Sequence, residues 1–215
     1  MPDFDAIASY SEFFGRSLDE VGRDLESYSA LLRKWQPVQN LVSRETLSAI
    51  WERHFADSLQ LVRHFKPADR SILDLGSGGG FPALPLAIAS KGFDRHFILV
   101  EPTTRKVSFL RTVARELDLD VNVIGRRSDQ IDSRETPVPD VITSRALAAL
   151  PQLCAWMEPF FSEKTRAVLH KGREHVDELQ ETSALWYFDV VINKSDTDPG
   201  GVILTITNLK RKSAS

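Results

Sequence analysis

One short segment of the chain combines residue types and spacing that suit the binding of a small molecule. Residues 72–82 read Ile-Leu-Asp-Leu-Gly-Ser-Gly-Gly-Gly-Phe-Pro, so an apolar strand carrying Asp74 runs through a glycine loop toward a helix. Glycine lets the backbone turn sharply and approach a ligand that a side chain would keep away. The N–H groups of the loop and of the helix start can then face that ligand. The segment therefore predicts a ligand-binding loop at the carboxyl end of a strand.

Comparison with three familiar glycine loops narrows the choice of ligand. A phosphate-binding P-loop ends in Gly-Lys-Ser or Gly-Lys-Thr, whereas this loop ends in Gly-Phe-Pro. A nucleophile elbow has glycine two positions before and two positions after a serine, but Leu75 stands two positions before Ser77. A dinucleotide fingerprint needs glycine at Phe81, whose ring would crowd a pyrophosphate. The spacing from Asp74 to Gly80 instead resembles the nucleotide-binding signature of S-adenosylmethionine-dependent methyltransferases.

Acidic and hydroxyl residues at later strand ends extend this predicted cofactor site. Glu101 ends the second predicted strand, and Ser128 and Asp129 follow the third. Ligands of such sheets bind at the carboxyl ends of the strands, so Glu101 is expected to accept hydrogen bonds from both ribose hydroxyls. Ser128 and Asp129 are expected to meet the adenine edge. A purely structural turn and a surface glutamate at a helix start are the alternatives.

The hydrophobic pattern predicts helices before the glycine loop and an α/β arrangement after it. Ser17 and Glu20 form a capping box at the start of a helix that Pro37 ends. A second helix is predicted over Thr46–Phe65. From Ser71 onward short β-rich runs alternate with helices, which indicates a parallel sheet covered on both faces.

The elements of this α/β part follow from the same pattern. The predicted strands are Ser71–Leu75, His96–Glu101, Val121–Ile124, Asp140–Ser144, Arg166–His170, Tyr187–Asn193 and Val202–Asn208. The predicted helices are Phe81–Lys91, Thr104–Leu117, Leu147–Phe161 and Glu174–Ser183. No helix separates the last two strands, so they should pair antiparallel at one edge. The expected fold class is α/β, a mostly parallel seven-stranded sheet with an antiparallel edge strand. We expect a helical extension over residues 1–68 packed on a core over 69–209, and a disordered basic tail over 210–215.

Composition limits the class of protein. Hydrophobic residues make up 42% and charged residues 27% of the 215 residues, as in soluble globular proteins. No apolar run reaches the ~18 residues of a membrane span, and the acidic start lacks the basic region of a secretory signal. The single cysteine, Cys154, excludes an intrachain disulfide, so a cytoplasmic location is expected. The net charge of −3 argues against indiscriminate coating of nucleic acid.

Six separated motifs have an order and spacing that are specific as a set, although no single one is decisive. They are Trp35 with Asn40-Leu41-Val42-Ser43, His54-Phe55-Ala56-Asp57-Ser58, Asp74 to Pro82 with Pro85-Leu86, Lys106-Val107-Ser108-Phe109-Leu110, Ser144-Arg145-Ala146 and Lys171-Gly172. Together, over roughly Leu31 to Gly172, they resemble the glucose-inhibited division protein B family, the methyltransferases G of small-subunit ribosomal RNA.

The resemblance implies a Rossmann-like methyltransferase core and a specific reaction. That reaction is transfer of a methyl group from S-adenosylmethionine to N7 of a guanine in a 16S ribosomal RNA loop near the decoding region. Ala83 stands where the family more often has glycine, and its methyl group should alter packing without blocking the cofactor. The family's cofactor contacts match Gly76, Phe81, Ser128, Asp129 and Arg145, and the loop and strand-end candidates Asp74, Gly78 and Glu101 complete the predicted set.

Methylation at guanine N7 would need no general base, because N7 carries a lone pair and no proton. Catalysis should then come from alignment of the reacting atoms and from electrostatic stabilisation. Arg145, just past the fourth strand, is the candidate for both tasks. Its guanidinium would clamp the cofactor carboxylate or bind the guanine O6/N7 edge. A structural salt bridge is the alternative.

Candidate contacts to the RNA are less specific. His54 and Asp57 share a helix face, and they line a substrate pocket or fix the extension to the core. Arg126 and Arg127 neighbour the predicted adenine-side loop, and Lys171 belongs to the last motif. The expected partner is folded 16S ribosomal RNA or a small ribosomal subunit. The chain itself is expected to be a monomer. The sequence has no paired Cys/His spacing of the kind that predicts a metal site, so no metal is expected. No membrane contact is expected either.

Other functions share part of this pattern. A methyltransferase acting on a protein or a small molecule would have the same cofactor features, so only the family motifs distinguish the substrate. A non-catalytic module that binds ribosomal RNA or a nucleotide would retain the fold without the reaction. A nicotinamide-dependent reductase is disfavoured by Phe81.

Overall fold

A computed structural model describes residues 3–43 and 45–213 and is built around one seven-stranded sheet. The strand order is β3-β2-β1-β4-β5-β7-β6. Strands β1 to β5 run parallel, and β7 lies antiparallel between β5 and β6. The strands are β1 (Ser71–Leu75), β2 (His96–Val100), β3 (Val121–Ile124), β4 (Val141–Ser144), β5 (Arg166–Lys171), β6 (Trp186–Lys194) and β7 (Val202–Arg211). The predicted mostly parallel sheet with an antiparallel pair at one edge is confirmed.

Strand β1 lies at the topological switch point, where the order in which strands are added to the sheet reverses. β2 and β3 follow on one side of β1, whereas β4 and β5 lie on the other. Asp74 on β1 is level with Leu99 on β2 and Thr143 on β4. Open parallel sheets bind ligands in the crevice at the carboxyl ends of strands beside such a switch point. The glycine loop leaves β1 at this edge.

Helices cover both faces of the sheet, as the alternating pattern of the strands requires. On β1 and β2, Ile72, Phe97 and Leu99 belong to one hydrophobic cluster, whereas Leu73 and Ile98 belong to another. The helices are α1 (Asp5–Ala8), α2 (Leu18–Trp35), α3 (Asp57–Leu59), α4 (Ala83–Ser90), α5 (Thr104–Glu116), α6 (Leu150–Met157) and α7 (His175–Leu185).

The first long helix follows its sequence signals, whereas the second departs from them. α2 begins at Leu18, directly after Ser17, and the predicted capping box between Ser17 and Glu20 is present. The predicted helix over Thr46–Phe65 begins only at Trp51, with a π-helical segment Trp51–Ala56, then α3 and a 3-10 segment Gln60–His64. Thr46 Oγ1 bonds the Ser43 carbonyl oxygen at 3.0 Å, a local hydrogen bond that competes with helix formation. Irregular turns of this kind occur at functional sites.

The N-terminal helices pack directly on the sheet-bearing part of the chain. Tyr28 of α2 stacks near Phe55 and Phe81, with ring centroids 5.7 and 5.3 Å away. All three belong to the same hydrophobic cluster as Ile72 of β1. Because one cluster spans both regions, the division at residue 68 stays a prediction.

The prediction that the basic tail is disordered is wrong for the residues that the structure describes. Lys210 and Arg211 extend β7 and pair with β6. Lys212 Nζ donates to the Ser183 carbonyl oxygen at 2.6 Å. Antiparallel pairing with β6 therefore orders a segment whose charge alone favoured disorder, and positions 214 and 215 lie outside the described residues.

Candidate active site

The glycine loop is held by the end of β2 and opens at one position. The N–H groups of Gly76 and Ser77 both donate to the Val100 carbonyl oxygen at 3.0 Å. A Cβ at Gly76 would meet a Leu147 methyl carbon at 2.5 Å, so this glycine serves packing. Gly78 has φ +55°, and its nearest neighbour for a Cβ is the Gly76 oxygen at 3.8 Å. The loop therefore offers open space to a ligand at Gly78.

Glu101 links this opening to the next strand. The side chain is buried, and its two oxygens accept from the N–H groups of Gly78 at 3.0 Å and Thr103 at 2.9 Å. Each carboxylate oxygen retains a further lone pair. The carboxylate lies at the carboxyl end of β2, where the sequence places the ribose partner. Its position fits that role and adds the task of holding the loop.

Asp74 is fully buried below the loop and only half satisfied. Its Oδ1 accepts from Thr143 Oγ1 at 2.7 Å, while its Oδ2 has no hydrogen-bond partner among residues 3–43 and 45–213. Burial raises the pKa of Asp74 to about 7, and the nearby hydroxyl groups of Ser77 and Thr143 offset that rise only in part. A buried oxygen without a partner calls for a donor from a ligand or an ordered water. The residues at this strand edge therefore fit a cofactor with a cationic or donor group.

Ser128 and Asp129 follow β3, as their spacing predicts, whereas the Phe81 ring faces away from the crevice. Ser128 and Asp129 begin a 3-10 turn, Ser128–Gln130, soon after β3. The Asp129 carboxylate is occupied by Arg127 in a two-point contact of 3.0 and 3.1 Å. The Phe81 ring is buried against Tyr28 rather than facing the crevice. A contact from Phe81 to the cofactor would therefore come from its backbone.

A second space, a cavity of about 500 Å³, lies beside the glycine loop at the ends of β4 and β5. It is bounded by the segment before α3, by Ser144 to Ala146 and by the connection between β6 and β7. Among its lining residues are the predicted His54, Asp57, Arg145 and Lys171. The structure thus brings four of the predicted site residues together around one space.

Arg145 is clamped between the N-terminal helices and the end of β4. Its Nη1 donates to Asp57 Oδ2 at 2.9 Å, and its Nη2 bonds His54 Nδ1 at 3.0 Å. Its guanidinium carbon lies 5.1 Å from the centroid of the Phe81 ring, a cation–π distance. Nη1 also bonds the Arg53 carbonyl oxygen at 3.4 Å. Three of the five guanidinium N–H groups are therefore used, and Nε–H and one Nη2–H remain.

His54 is a neutral histidine of defined tautomer. Arginine can only donate, so Nδ1 of His54 is the acceptor, and the proton lies on Nε2, which bonds Thr46 Oγ1 at 2.8 Å. Burial first, and then the charge on Arg145, lower the pKa of His54 to about 4. Both ring nitrogens are engaged, so His54 holds Arg145 and the segment around Thr46 in place.

Stability is expected to fall as the pH drops below 6.5, because His54 resists protonation in the folded chain. The unfolded chain binds a proton at His54 near pH 6.5, whereas the folded chain, with Arg145 and Arg53 nearby and only Asp57 opposing them, does so at about pH 4. Protons therefore favour the unfolded state across this window. These two pKa values correspond to about 2 kcal/mol less stability at pH 5 than at pH 7.

Urea unfolding of the unaltered chain and of His54→Gln at pH 5 and pH 7 measures this effect. Glutamine keeps one donor and one acceptor but cannot titrate, so the variant should lose clearly less stability on acidification. An equal loss in both proteins would contradict the assignment of the effect to His54.

Asp57 joins three parts of the cavity wall. Besides Arg145, its carboxylate accepts from Thr197 Oγ1 at 2.6 Å, and its carbonyl oxygen accepts from His170 Nε2 at 2.8 Å. Burial by itself would raise the pKa of Asp57, but its electrostatic interactions with His170 and Arg145 and the hydrogen bond from the Thr197 hydroxyl hold that pKa below its ordinary value. Asp57 is therefore an ionised anchor for Arg145, and its two oxygens are both engaged.

Lys171 lines the cavity, but its ammonium is directed away from a substrate. It forms a buried ion pair with Glu178 and donates to the Ala148 carbonyl oxygen at 3.2 Å. Glu178 in turn accepts from the Leu150 N–H at 2.8 Å. These contacts fix the segment that follows Arg145 against α7. The expectation that Lys171 contacts RNA is therefore not supported by its geometry.

Replacement of Lys171 by Met is expected to destabilise the chain by ~3–5 kcal/mol, because Glu178 would remain buried without its cation. The double variant Lys171→Met, Glu178→Leu should recover most of that loss, since it removes both charges. Chemical denaturation measures both effects. Restored stability together with methylation still reduced 100-fold would show instead that Lys171 acts on the substrate.

The basic pair Arg126 and Arg127 is exposed and locally neutralised. Arg126 makes a two-point contact with Glu135 at 3.0 and 2.5 Å, and Arg127 pairs with Asp129. Exposed pairs of this kind contribute little free energy and exchange partners readily. Their role toward RNA stays a prediction.

Several residues of the site were missed by the sequence reasoning. They are Thr46, Thr197 and Asp198 around the cavity, the buried His170, and Glu178 beside Lys171. None belongs to a recognisable spacing, because each is brought in by packing between distant segments. Cys154 is fully buried in the hydrophobic core, and burial raises the pKa of its thiol to about 12, so it serves packing.

The described part of the chain contains neither a cluster of metal ligands nor a membrane-spanning helix. No group of three or more His, Cys, Asp or Glu side chains there could hold a metal ion. Within residues 3–43 and 45–213, no helix combines the length and apolar character needed to cross a membrane.

Comparisons with known proteins agree with this arrangement. A structure of MtNAS in complex with S-adenosylmethionine superposes with a TM-score of 0.55 at 17% identity, covering 86% of this chain and 71% of that one, so the fold is shared. Ribosomal RNA small subunit methyltransferase G of Cereibacter sphaeroides is 40% identical, over 88% of this chain and 92% of the relative. The protein of the same name from Bartonella henselae is 38% identical, over 97% and 98%. A family model described as rRNA small subunit methyltransferase G (GidB) matches residues 22–198. The chain therefore belongs to the rRNA small subunit methyltransferase G family.

Proposed function

We propose that this chain transfers a methyl group from S-adenosylmethionine to N7 of a guanine in 16S ribosomal RNA. The observation that carries the proposal is the cavity beside the glycine loop, in which Arg145 is fixed with two N–H groups unused. Family membership supports the ribosomal RNA substrate, because the relatives are named for it. The finer assignment, N7 of a guanine in the decoding-region loop, rests on the resemblance and on the chemistry of the cavity.

The strand edge around Gly78 is the proposed cofactor site. Glu101 would hold the ribose, the turn at Ser128 and Asp129 the adenine, and the free oxygen of Asp74 a donor group of the cofactor. When bound, S-adenosylmethionine supplies an electrophilic methyl group. Gly76 and Gly78 keep the loop backbone in the conformation that this site needs.

The groups around the cavity suit a reaction without a general base. His54 is neutral with both nitrogens bonded, both oxygens of the Asp57 carboxylate accept hydrogen bonds, and the pKa values of the two side chains lie below their ordinary values. Neither side chain is therefore free to take a proton. N7 of guanine has an in-plane lone pair and loses no proton during methylation, so none of these groups needs to act as a base.

Arg145 is proposed to position and polarise the guanine. Its unused Nε–H and Nη2–H can both bond guanine O6, which leaves the single lone pair of N7 free to attack the methyl group. Because His54 and Asp57 fix the guanidinium, little reorganisation is needed when the base arrives. The folded enzyme therefore holds the guanidinium in position before the guanine binds.

Methylation of ribosomal RNA from a strain lacking this protein tests the proposal. Small subunits and naked 16S ribosomal RNA would each be incubated with the purified chain and radiolabelled S-adenosylmethionine. Label at N7 of a single guanosine, detected by borohydride and aniline cleavage, is expected, with subunits or folded RNA preferred over random oligonucleotides. Label on protein, on another nucleobase atom or on no acceptor would contradict the proposal.

We also propose that the chain acts as a monomer in the cytoplasm. A ribosomal RNA substrate supports that location, since ribosomal subunits assemble there. Sedimentation equilibrium of the purified chain at micromolar concentration tests the oligomeric state, and a dimer would contradict the proposal.

A further inference from the structure

The connection between β6 and β7 presents one uncommitted carboxylate to the acceptor cavity. Asp198 lines that cavity and is half-buried. One of its oxygens, Oδ1, accepts from the Gly200 N–H at 3.0 Å. Its neighbour Asp196 is neutralised by Arg63, whereas no lysine, arginine or histidine of the described residues forms an ion pair with Asp198. Asp198 therefore keeps free acceptor capacity beside the space where a substrate would bind.

The turn that carries Asp198 is rigidly held. Its N–H donates to Ser195 Oγ at 3.2 Å, and its carbonyl oxygen accepts from the Gly201 N–H at 2.9 Å. The Ser195 N–H closes the turn on the Gly201 carbonyl oxygen at 3.0 Å. Thr197 of the same turn is bonded to Asp57. The carboxylate is thus pre-positioned relative to Arg145 through a short chain of contacts.

The cavity has donors on one side and acceptors on the other. Arg145, at the end of β4, lies toward the glycine loop and carries the unused N–H groups. Asp198 lies beyond β5, next to the start of β7, because Val202 pairs with Lys171. His170 lines the same wall, and its Nδ1 is an acceptor without a partner among residues 3–43 and 45–213. Guanine has a matching asymmetry, with acceptors O6 and N7 on one edge and donors N1–H and N2–H₂ on the opposite one.

We propose that Asp198 binds the N1–H and N2–H₂ edge of the acceptor guanine and thereby selects guanine over other purines. With N7 directed toward the cofactor side at β1 and β4, the donor edge points toward β5 and β7, where Asp198 lies. A carboxylate accepts both hydrogen bonds of that edge, whereas adenine would present an acceptor nitrogen to it. This inference rests on the proposed function and adds the residue that determines the base.

The test compares guanosine with inosine at the mapped target position. Inosine lacks the N2 amino group but keeps N1–H, O6 and N7. Small subunits reconstituted on ligated 16S ribosomal RNA with either nucleoside would be methylated by the unaltered chain, by Asp198→Asn and by the exposed control Asp94→Asn. Asparagine keeps an acceptor for the Gly200 N–H but replaces the other oxygen by a donor. The ratio of kcat/KM for guanosine to that for inosine is measured for each protein.

The unaltered chain and Asp94→Asn are expected to prefer guanosine by about 10- to 100-fold, the effect of one unsatisfied carboxylate hydrogen bond. In Asp198→Asn the preference should fall to about one- to threefold, mainly through slower guanosine methylation. A preference in Asp198→Asn equal to that of the unaltered chain would overturn this inference alone. No methylation of guanosine by the unaltered chain would overturn the proposed function as well.

Discussion

Replacement of Arg145 by Lys is expected to lower kcat/KM for methylation by about 100- to 1000-fold, with S-adenosylmethionine affinity changed less than threefold. Lysine keeps the positive charge that Asp57 requires, so the fold should persist. It cannot bond Asp57, His54 and a guanine edge at once, because it lacks the planar fork of five donors. The loss should therefore fall on the reaction rather than on the cofactor.

Arg145→Ala would be a harsher change. It leaves the buried Asp57 without its cation, which costs ~3–5 kcal/mol of stability. Thermal melting separates that loss from the loss of activity. The matched control is Arg134→Ala, an exposed arginine paired with Asp132, which should change neither quantity. Unchanged methylation in Arg145→Lys would mean that Arg145 serves only as a structural ion pair.

Replacement of Glu101 by Ala is expected to weaken S-adenosylmethionine binding by about 100-fold, measured by calorimetry. The change removes the acceptor for the Gly78 and Thr103 N–H groups as well as the proposed ribose contact, and hydrogen bonds to a charged group contribute ~1.5–3 kcal/mol each. Glu101→Gln keeps one acceptor oxygen, so about a tenfold loss is expected.

The matched control for Glu101 is Glu116→Ala, which removes an exposed carboxylate paired with Arg115. Its affinity for the cofactor should equal that of the unaltered chain. Because Glu101→Ala leaves buried N–H groups unpaired, its melting temperature is measured alongside. A folded Glu101→Ala protein with unaltered cofactor affinity would contradict the assigned cofactor site.

The parts of the fold that follow local signals were predictable from sequence. The capping box of Ser17 and Glu20 starts α2 as expected, and the alternating apolar runs mark the seven strands. The start of the second helix was not predictable, because Thr46 bonds Ser43 and His54 instead of continuing a helical turn. His54 is also bonded by Arg145, which lies far along the chain.

In the candidate site, too, some residues could be predicted from sequence and others could not. Asp74, Gly78 and Glu101 meet because parallel strands bring their carboxyl ends to one edge, and that rule is readable from sequence. The partners of Lys171 and Arg126 could not be predicted, because nothing in the local sequence marks Glu178 or Glu135 as an ion-pair partner. The intrachain partners of these cations are therefore set by packing between distant segments, and their contacts to RNA stay predictions.

Phe81 illustrates a correct inference with a different structural cause. Its presence correctly disfavoured a pyrophosphate loop, and the fold is that of a methyltransferase family. The ring itself turns away from the crevice and packs on Tyr28, His54 and Arg145. It thereby couples the glycine loop to the N-terminal helices and to the guanidinium that faces the acceptor cavity.

The identity of the acceptor atom is the central claim, and one substitution in the RNA tests it most directly. Small subunits carrying 7-deazaguanosine at the mapped position replace the N7 lone pair by a C–H group and leave O6, N1–H and N2–H₂ intact. We expect binding of these subunits within a few-fold of the guanosine subunits and no methyl transfer above background. Methyl transfer to the 7-deazaguanosine subunits at the rate of the guanosine subunits would contradict the account.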